Sequence, residues 1–197
     1  MQILRLNKAG QPIEWLHWQD AVCLYSRDLV CWSLGETIYR IHGGINRMSG
    51  HRSLIELPSI VACDGEKLAR QRTRPPLTNR ALFERDNYQC LYCGHHFSYS
   101  GLTRDHILPS SRGGRDSWEN VVAACRRCNQ RKGNRTLNEM DMELLALPYS
   151  PNPAEYLALV NSRRILPDQA DFLSKQFSAN CRWSLRRELG GITTLDC

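Results

Sequence analysis

Long apolar runs are missing from this sequence. No stretch approaches the ~18 consecutive apolar residues that a membrane-spanning helix needs, so no membrane partner is expected. No secretory leader is expected, because Met1-Gln2-Ile3-Leu4-Arg5-Leu6-Asn7-Lys8 is interrupted by charge too early. Internal repeats and low-complexity tracts are absent, which sets aside repeat architectures and compositional tails. With 42% apolar and 23% charged residues, wholesale disorder is also excluded. The expectation is a soluble, cytoplasmic protein of 197 residues, enough for one medium domain or two small ones.

An even cysteine count is lacking too. Nine cysteines without a leader argue against a disulfide framework. Five of them, Cys23, Cys31, Cys63, Cys181 and Cys197, are scattered and read as small core hydrophobes. The other four form two C-x-x-C pairs, Cys90/Cys93 and Cys125/Cys128, separated by 31 residues. Two residues between thiols is the knuckle spacing that lets both sulfurs reach one ion. Two such knuckles complete a tetrahedral four-sulfur site, which favours Zn²⁺. Four thiolates leave no open coordination position, so this zinc is expected to be structural and to add roughly 10 kcal/mol or more to folding. A redox C-x-x-C or chance pairing is the competing reading.

Acidic side chains are sparse in the middle of the chain. Residues 65–136 hold 14 basic and 6 acidic side chains, whereas residues 1–64 hold 6 of each and residues 137–197 hold 6 basic and 8 acidic. A compact basic segment between balanced flanks fits a polyanion site, nucleic acid above all. A merely solvated basic face fits the charge equally well.

The pattern of apolar residues divides the chain in three. Residues 1–74 read as a small α+β domain followed by a linker. Strands are expected over 2–6, 29–32, 37–41 and 54–63, and a helix over 19–27. Trp15, Trp18 and Trp32 are expected in its core. Gln71-Arg72-Thr73-Arg74-Pro75-Pro76 is the linker candidate. Residues 75–137 hold the cysteine pairs, with Thr78 expected to cap a helix over 79–85 and another helix over 126–132. Residues 138–197 read as a helical extension, with helices over 138–145 (capped by Thr136), 154–161 and 168–177.

Between the knuckles lies Arg104-Asp105-His106-Ile107-Leu108-Pro109, then Ser111-Arg112-Gly113-Gly114 and Trp118-Glu119-Asn120-Val121-Val122. The second knuckle runs into Asn129-Gln130-Arg131-Lys132-Gly133. Asp105-His106, Asn120 fourteen residues on and Asn129 nine further, framed by the knuckles, resemble the HNH endonuclease family over about residues 78–137. The resemblance implies a ββα-metal core, a general base at His106, and an Asn120 that steadies the loop and orients the His106 ring. It also implies phosphodiester hydrolysis leaving 5′-phosphate and 3′-hydroxyl ends. The third letter here is asparagine, and Gly133 stands where colicin-type nucleases carry another histidine.

The residue chemistry points the same way. Asp105 offers a carboxylate and Asn129 an amide oxygen, a set that suits a hard Mg²⁺ or Mn²⁺ ion. Imidazole is the side chain that exchanges protons near neutrality. In a regular strand, Asp105 and His106 would point to opposite faces, so a bend or bulge is expected if both serve one phosphate. Cys125, Cys128 and Asn129 share one face of the second knuckle's helix. Arg112, in a flexible Gly-Gly loop, together with Lys132 and Arg135, are the candidate phosphate contacts.

The reading is therefore a metal-dependent endonuclease acting on DNA, expected to be double-stranded. One such site makes one nick, so a double-strand cut calls for a homodimer or a second event. The alternatives are a non-catalytic zinc-ribbon nucleic-acid-binding protein and a nuclease-like scaffold used for protein interaction.

Overall fold

In the computed structural model, residues 1–64, 75–179 and 181–182 are described. The linker candidates Gln71–Arg74 and the cysteine Cys197 fall outside the described residues. The chain divides into two compact units. One comprises residues 1–73 and 161–176, the other residues 74–160 and 177–197. No helix among the described residues is long and apolar enough to cross a membrane.

The first unit is a four-stranded sheet with strand order β2-β1-β4-β3. Its strands are β1 (Ile3–Asn7), β2 (Pro12–Leu16), β3 (Val30–Ile45) and β4 (Arg52–Cys63). β1 pairs antiparallel with β2 and parallel with β4, and β3–β4 is an antiparallel hairpin. Ile3, Leu57, Val61 and Cys63 alternate onto the face that receives Leu16 and helix α1 (Trp18–Ser26) through Ala21 and Leu24. β2 was not expected from sequence. It opens on Pro12, which lacks the ladder donor and is tolerated because β2 is an edge strand.

The two short strands expected over 29–32 and 37–41 are one long strand. Gly35 does not turn the chain. It sits at φ +87°, where the register of β3 against β4 shifts, so the break is a bulge. Trp18 and Trp32 are each 37% exposed rather than core, and the Trp32 indole donates to the Lys8 carbonyl at the rim. Cys63 and Cys181 are buried as small hydrophobes, but Cys23 and Cys31 are exposed.

The second unit is built around a two-stranded antiparallel ladder, β5 (Leu102–His106) with β6 (Val121–Cys125). Helix α2 (Asn79–Arg85) packs Ala81, Leu82 and Phe83 against Leu102, Trp118, Val121 and Ala123. The Thr78 hydroxyl accepts from the Ala81 amide, capping α2 as its spacing predicts. Helix α3 (Arg126–Lys132) follows β6 directly, and α4 (Leu137–Met140) starts at the Thr136 capping box. α4 stops five residues before the expected end, because Asp141 takes a left-handed conformation. Helix α5 (Pro153–Val160) belongs to this unit, while α6 (Pro167–Ser174) belongs to the first, where Gln169 hydrogen-bonds the carbonyls of Gln2 and Ser59. The expected C-terminal extension is therefore shared between units instead of standing alone, because each helix finds a different sheet or helix face to cover.

One polar network holds the second unit's layers in register. Arg85 is fully buried and forms a two-pronged pair with Asp86, at 2.8 and 3.0 Å. Its remaining donors reach the carbonyls of Trp118, Val121 and Tyr149. Asp86 also accepts from the Ala123 amide and from Arg182. Every partner is satisfied, so the buried charges are tolerated, but removing one would strand the rest. Arg85→Ala is expected to cost about 3–5 kcal/mol. A urea titration followed by tryptophan fluorescence would show this as a lowered midpoint, and an unchanged midpoint would contradict it.

Candidate metal centre and active site

The sulfurs of Cys90, Cys93, Cys125 and Cys128 all lie within 4.8 Å of one another. A tetrahedral Zn–S length of ~2.3 Å requires sulfur separations of about 3.8 Å, so the cluster has the size of one metal site. The first knuckle is a tight turn: the Gly94 amide donates to the Cys90 carbonyl, with Gly94 at φ +78°. The Cys90 amide donates to the His95 carbonyl, and Gln89 bridges to His96. The second knuckle is the start of α3, where the Cys125 sulfur accepts from the Cys128 amide at 3.4 Å.

The thiols differ in acidity. Burial pushes Cys90 up, but backbone hydrogen bonds from Cys125, Cys93 and Tyr92 outweigh it and leave the thiol below its usual value. Cys128 is pushed up, first by burial and then by the neighbouring sulfurs Cys125, Cys90 and Cys93. Crowded thiols resist ionisation until a cation shares their charge, which is the behaviour expected of a metal-binding set. His95 and His96 are exposed and are not part of the cluster.

β5 distributes its side chains to two sides. Thr103 and Asp105 face α3. The Asn129 amide nitrogen donates to the Thr103 hydroxyl at 2.8 Å, leaving its carbonyl oxygen as the donor atom for a cation. The Asp105 carboxylate is buried, receiving the Tyr92 hydroxyl on one oxygen and the Lys132 ammonium at 3.2 Å on the other. Burial and this bond to Asp105 push the Tyr92 hydroxyl well above its usual pKa.

On the opposite side, Arg104 and His106 meet Asp116. The Arg104 guanidinium holds both Asp116 oxygens at 2.9 and 2.7 Å, and the His106 Nε2 lies 3.1 Å from Asp116 Oδ1. Asn79 fixes the Arg104 Nε from α2. A carboxylate only accepts, so Nε2 is the donor in this contact, and in the neutral ring the lone pair is then on Nδ1.

No bulge brings Asp105 and His106 together. The ladder runs in register through Asp105↔Val122 and His106↔Val121. Both residues nevertheless line one hollow at the end of the strand. That hollow, about 250 Å³, is lined by Asp105, His106, Ser110, Asn129, Lys132 and Asn134, among others. Asn120 does not touch the His106 ring. Its side chain instead pairs with the Leu108 amide (2.9 Å) and carbonyl (3.1 Å) and with the Arg115 carbonyl (2.9 Å). It thus pins the loop that follows His106.

Of the three expected phosphate contacts, Lys132 is buried, whereas Arg112 and Arg135 are exposed and also bond within the protein. Lys132 is fully buried, with its ammonium also 2.7 Å from the His106 carbonyl, so it positions the Asp105–His106 corner rather than facing solvent. Arg112 is paired with Glu139 at 2.8 Å, and this pairing holds the Glu139 carboxyl down at about 2. Arg135 closes the last turn of α3 on the Arg131 carbonyl at 2.8 Å. The loop carrying Arg112 is not loose. Its Gly113 and Gly114 amides donate to Ser110 and Pro109, and a Cβ on Gly114 would strike the Leu108 carbonyl. Asp116 and Tyr92 were missed from sequence. An exposed aspartate in a turn, and an aromatic between two cysteines, carry no signal until the fold places their partners.

Residues 90–145 match the HNH endonuclease family. The match covers both knuckles, Asp105-His106, Asn120 and Asn129. A stretch of 63 residues, 32% of the chain, is 48% identical to the CRISPR-associated endonuclease Cas9 of Corynebacterium diphtheriae. The chain spans about 6% of the length of that relative, so the likeness is to one segment of a much larger protein. The architecture agrees: an α+β chain in which a strand pair and the following helix carry the HNH residues, beside four cysteines placed to bind a metal.

The cluster links the loop 90–94 to α3. Cys128→Ser is expected to lower the melting temperature by at least ~10 °C and abolish stoichiometric metal content. Calorimetry with elemental analysis of the same sample checks both, and a variant that melts like the parent would refute the structural role.

Proposed function

We propose that this protein is an HNH endonuclease that hydrolyses phosphodiester bonds in double-stranded DNA, with a structural Zn²⁺ on the four cysteines and a catalytic Mg²⁺ or Mn²⁺ at Asp105 and Asn129. The observation that carries this reading is the convergence of Asp105, His106 and Asn129 on one hollow beside the cysteine cluster. The likeness to an endonuclease supports it.

The donor set fits a hard divalent cation: one carboxylate and one amide oxygen, with water and phosphate oxygens completing the shell. Such an ion, when bound, supplies positive charge beside the leaving 3′ oxygen. The chain's own residues do the rest. His106 Nδ1 takes a proton from water as the water oxygen attacks phosphorus, and the 3′ oxygen departs in line. Asp116 holds the ring in the tautomer this requires. It is a positioning residue, itself held by Arg104. Lys132 balances the Asp105 charge and anchors the His106 backbone. Asn120 keeps the following loop from shifting the base. Exposed Arg115, Arg127 and Arg131 take the place of Lys132 as candidate phosphate contacts.

His106→Ala is expected to lower nicking of supercoiled plasmid by ~10²–10⁴-fold while melting like the parent. The parent's activity should be absent without an added divalent ion and appear on addition of Mg²⁺ or Mn²⁺. Full cleavage by a folded His106→Ala protein would sink the assignment. Asp116→Ala should reduce kcat by ~10-fold or more at little change in KM, since it acts on the base and not on DNA binding. Asp116→Glu should recover part of that loss. A change confined to KM would mean Asp116 serves the substrate instead.

A further inference from the structure

The β3–β4 hairpin carries more chain than the sheet uses. β4 pairs with β1 only over Ile60–Cys63. Residues 52–59 continue past that pairing for about 26 Å at ~3.3 Å per residue. Every residue from 42 to 54 is exposed, so the distal half is a two-stranded ribbon bare on both faces. An unsupported hairpin contributes little stability, and its open edges invite unwanted pairing.

The chemistry of this ribbon is one-sided. Residues 37–55 contain Arg40, Arg47, Arg52, His42 and His51 and no aspartate or glutamate. Among the described residues, only Arg40 of these has an acidic partner, Glu56 at the base, at 2.9 Å. Arg52 donates its Nε to the Gly43 carbonyl, which leaves the outer guanidinium nitrogens for a ligand. At the tip, Asn46 closes the turn by accepting from the Met48 and Ser49 amides, and the Gly50 amide returns to the Asn46 carbonyl. The turn therefore needs neither Arg47 nor Met48. It presents both outward, with Met48 98% and the neighbouring Ile45 69% exposed.

We propose that the β3–β4 ribbon is a second nucleic-acid contact, one that enters a groove of duplex DNA with Arg47 and Arg52 on the phosphates and Met48 leading. A two-stranded ribbon has the width of a B-DNA major groove. Arginine forks suit phosphate oxygens, and the absence of carboxylates over the whole tip removes the repulsion a polyanion would otherwise meet. A protruding apolar tip between cations suits a groove wall better than bulk water. The choice of duplex DNA rests on the nuclease reading, but the ribbon's binding does not require cleavage.

The test uses the full chain carrying His106→Ala, so that DNA survives without a chelator that would strip the cysteine site. A labelled 30-base-pair duplex is titrated by fluorescence anisotropy between 50 and 200 mM salt. Arg47→Ser/Arg52→Ser is expected to weaken binding by ~10-fold or more at 100 mM salt and to reduce the log–log salt slope by about 2. Arg47→Glu alone, at a position the turn does not use, should weaken binding more than Arg47→Ser. Equal affinity and slope in variants that melt like the parent would overturn the assignment. So would a loss that appears only with acidic polypeptide and not with DNA. If the otherwise unsubstituted chain fails to nick plasmid with any divalent ion while ribbon-dependent binding persists, the endonuclease reading falls and the ribbon assignment stands. If nicking holds and the ribbon variants bind normally, the ribbon assignment falls alone.

Discussion

The second unit depends on four sulfurs being held in one place. Among the described residues, its only sheet is a two-stranded ladder of five residues per strand, too small to be stable alone. The cysteine cluster ties the loop before β5 to the junction of β6 and α3. That junction also sets the direction of α3, and so the position of Asn129 one residue after Cys128. Tyr92, between the first two cysteines, bonds to Asp105. The cluster therefore reaches the candidate site from two sides, through Tyr92 to the carboxylate and through α3 to the amide. A small domain without a deep core gains here what a larger one obtains from packing.

The short strand β5 separates the two chemical tasks by its pleat. One face meets α3 and brings together the proposed cation ligands, Asp105 and Asn129, with Thr103 as the bolt between strand and helix. The other face meets Asp116 and holds the base. Lys132 crosses beneath, touching the Asp105 side chain and the His106 carbonyl, so neither task can drift without the other. Two residues adjacent in sequence can serve one phosphate without a bulge because the strand stops there, with the chain beyond it turned and pinned by Asn120.

How legible this was from sequence follows the range of each interaction. Thr78 and Thr136 cap the helices their spacing predicts, because a cap is decided within four residues. The four cysteines were legible because the knuckle spacing is a local property of the chain, and Asp105, His106 and Asn129 were singled out by their resemblance to the HNH motif. Asp116 was not, since its partners Arg104 and His106 are brought to it only when the loop folds back. Lys132 was read as a surface cation because a lysine near a metal motif normally is one. Its burial follows from Asp105 and the His106 carbonyl lying opposite it across α3. Arg85 and Asp86, adjacent and oppositely charged, read as an ordinary helix end. Their reach to Trp118, Val121 and Ala123 is a property of the packed layers.

Charge counted by segment hid the other half of the molecule's electrostatics. Residues 1–64 balance to zero, yet the acidic side chains stand on the sheet, on and just after α1, and at the base of the hairpin, while the distal ribbon has none. The Gly43-Gly44 step makes this separation feasible. A Cβ at Gly43 would strike the Ser53 side chain, so only glycine lets the strands cross closely there, and the register shift that follows carries the tip onward. A strand that needed its hairpin only to complete the sheet would end near Ile41 and Ile55, the most distal hairpin residues packed on the unit's own core. That it continues, glycine-jointed, cationic and uncovered, is a cost to the free protein. The cost is offset only when something anionic and grooved lies against the ribbon.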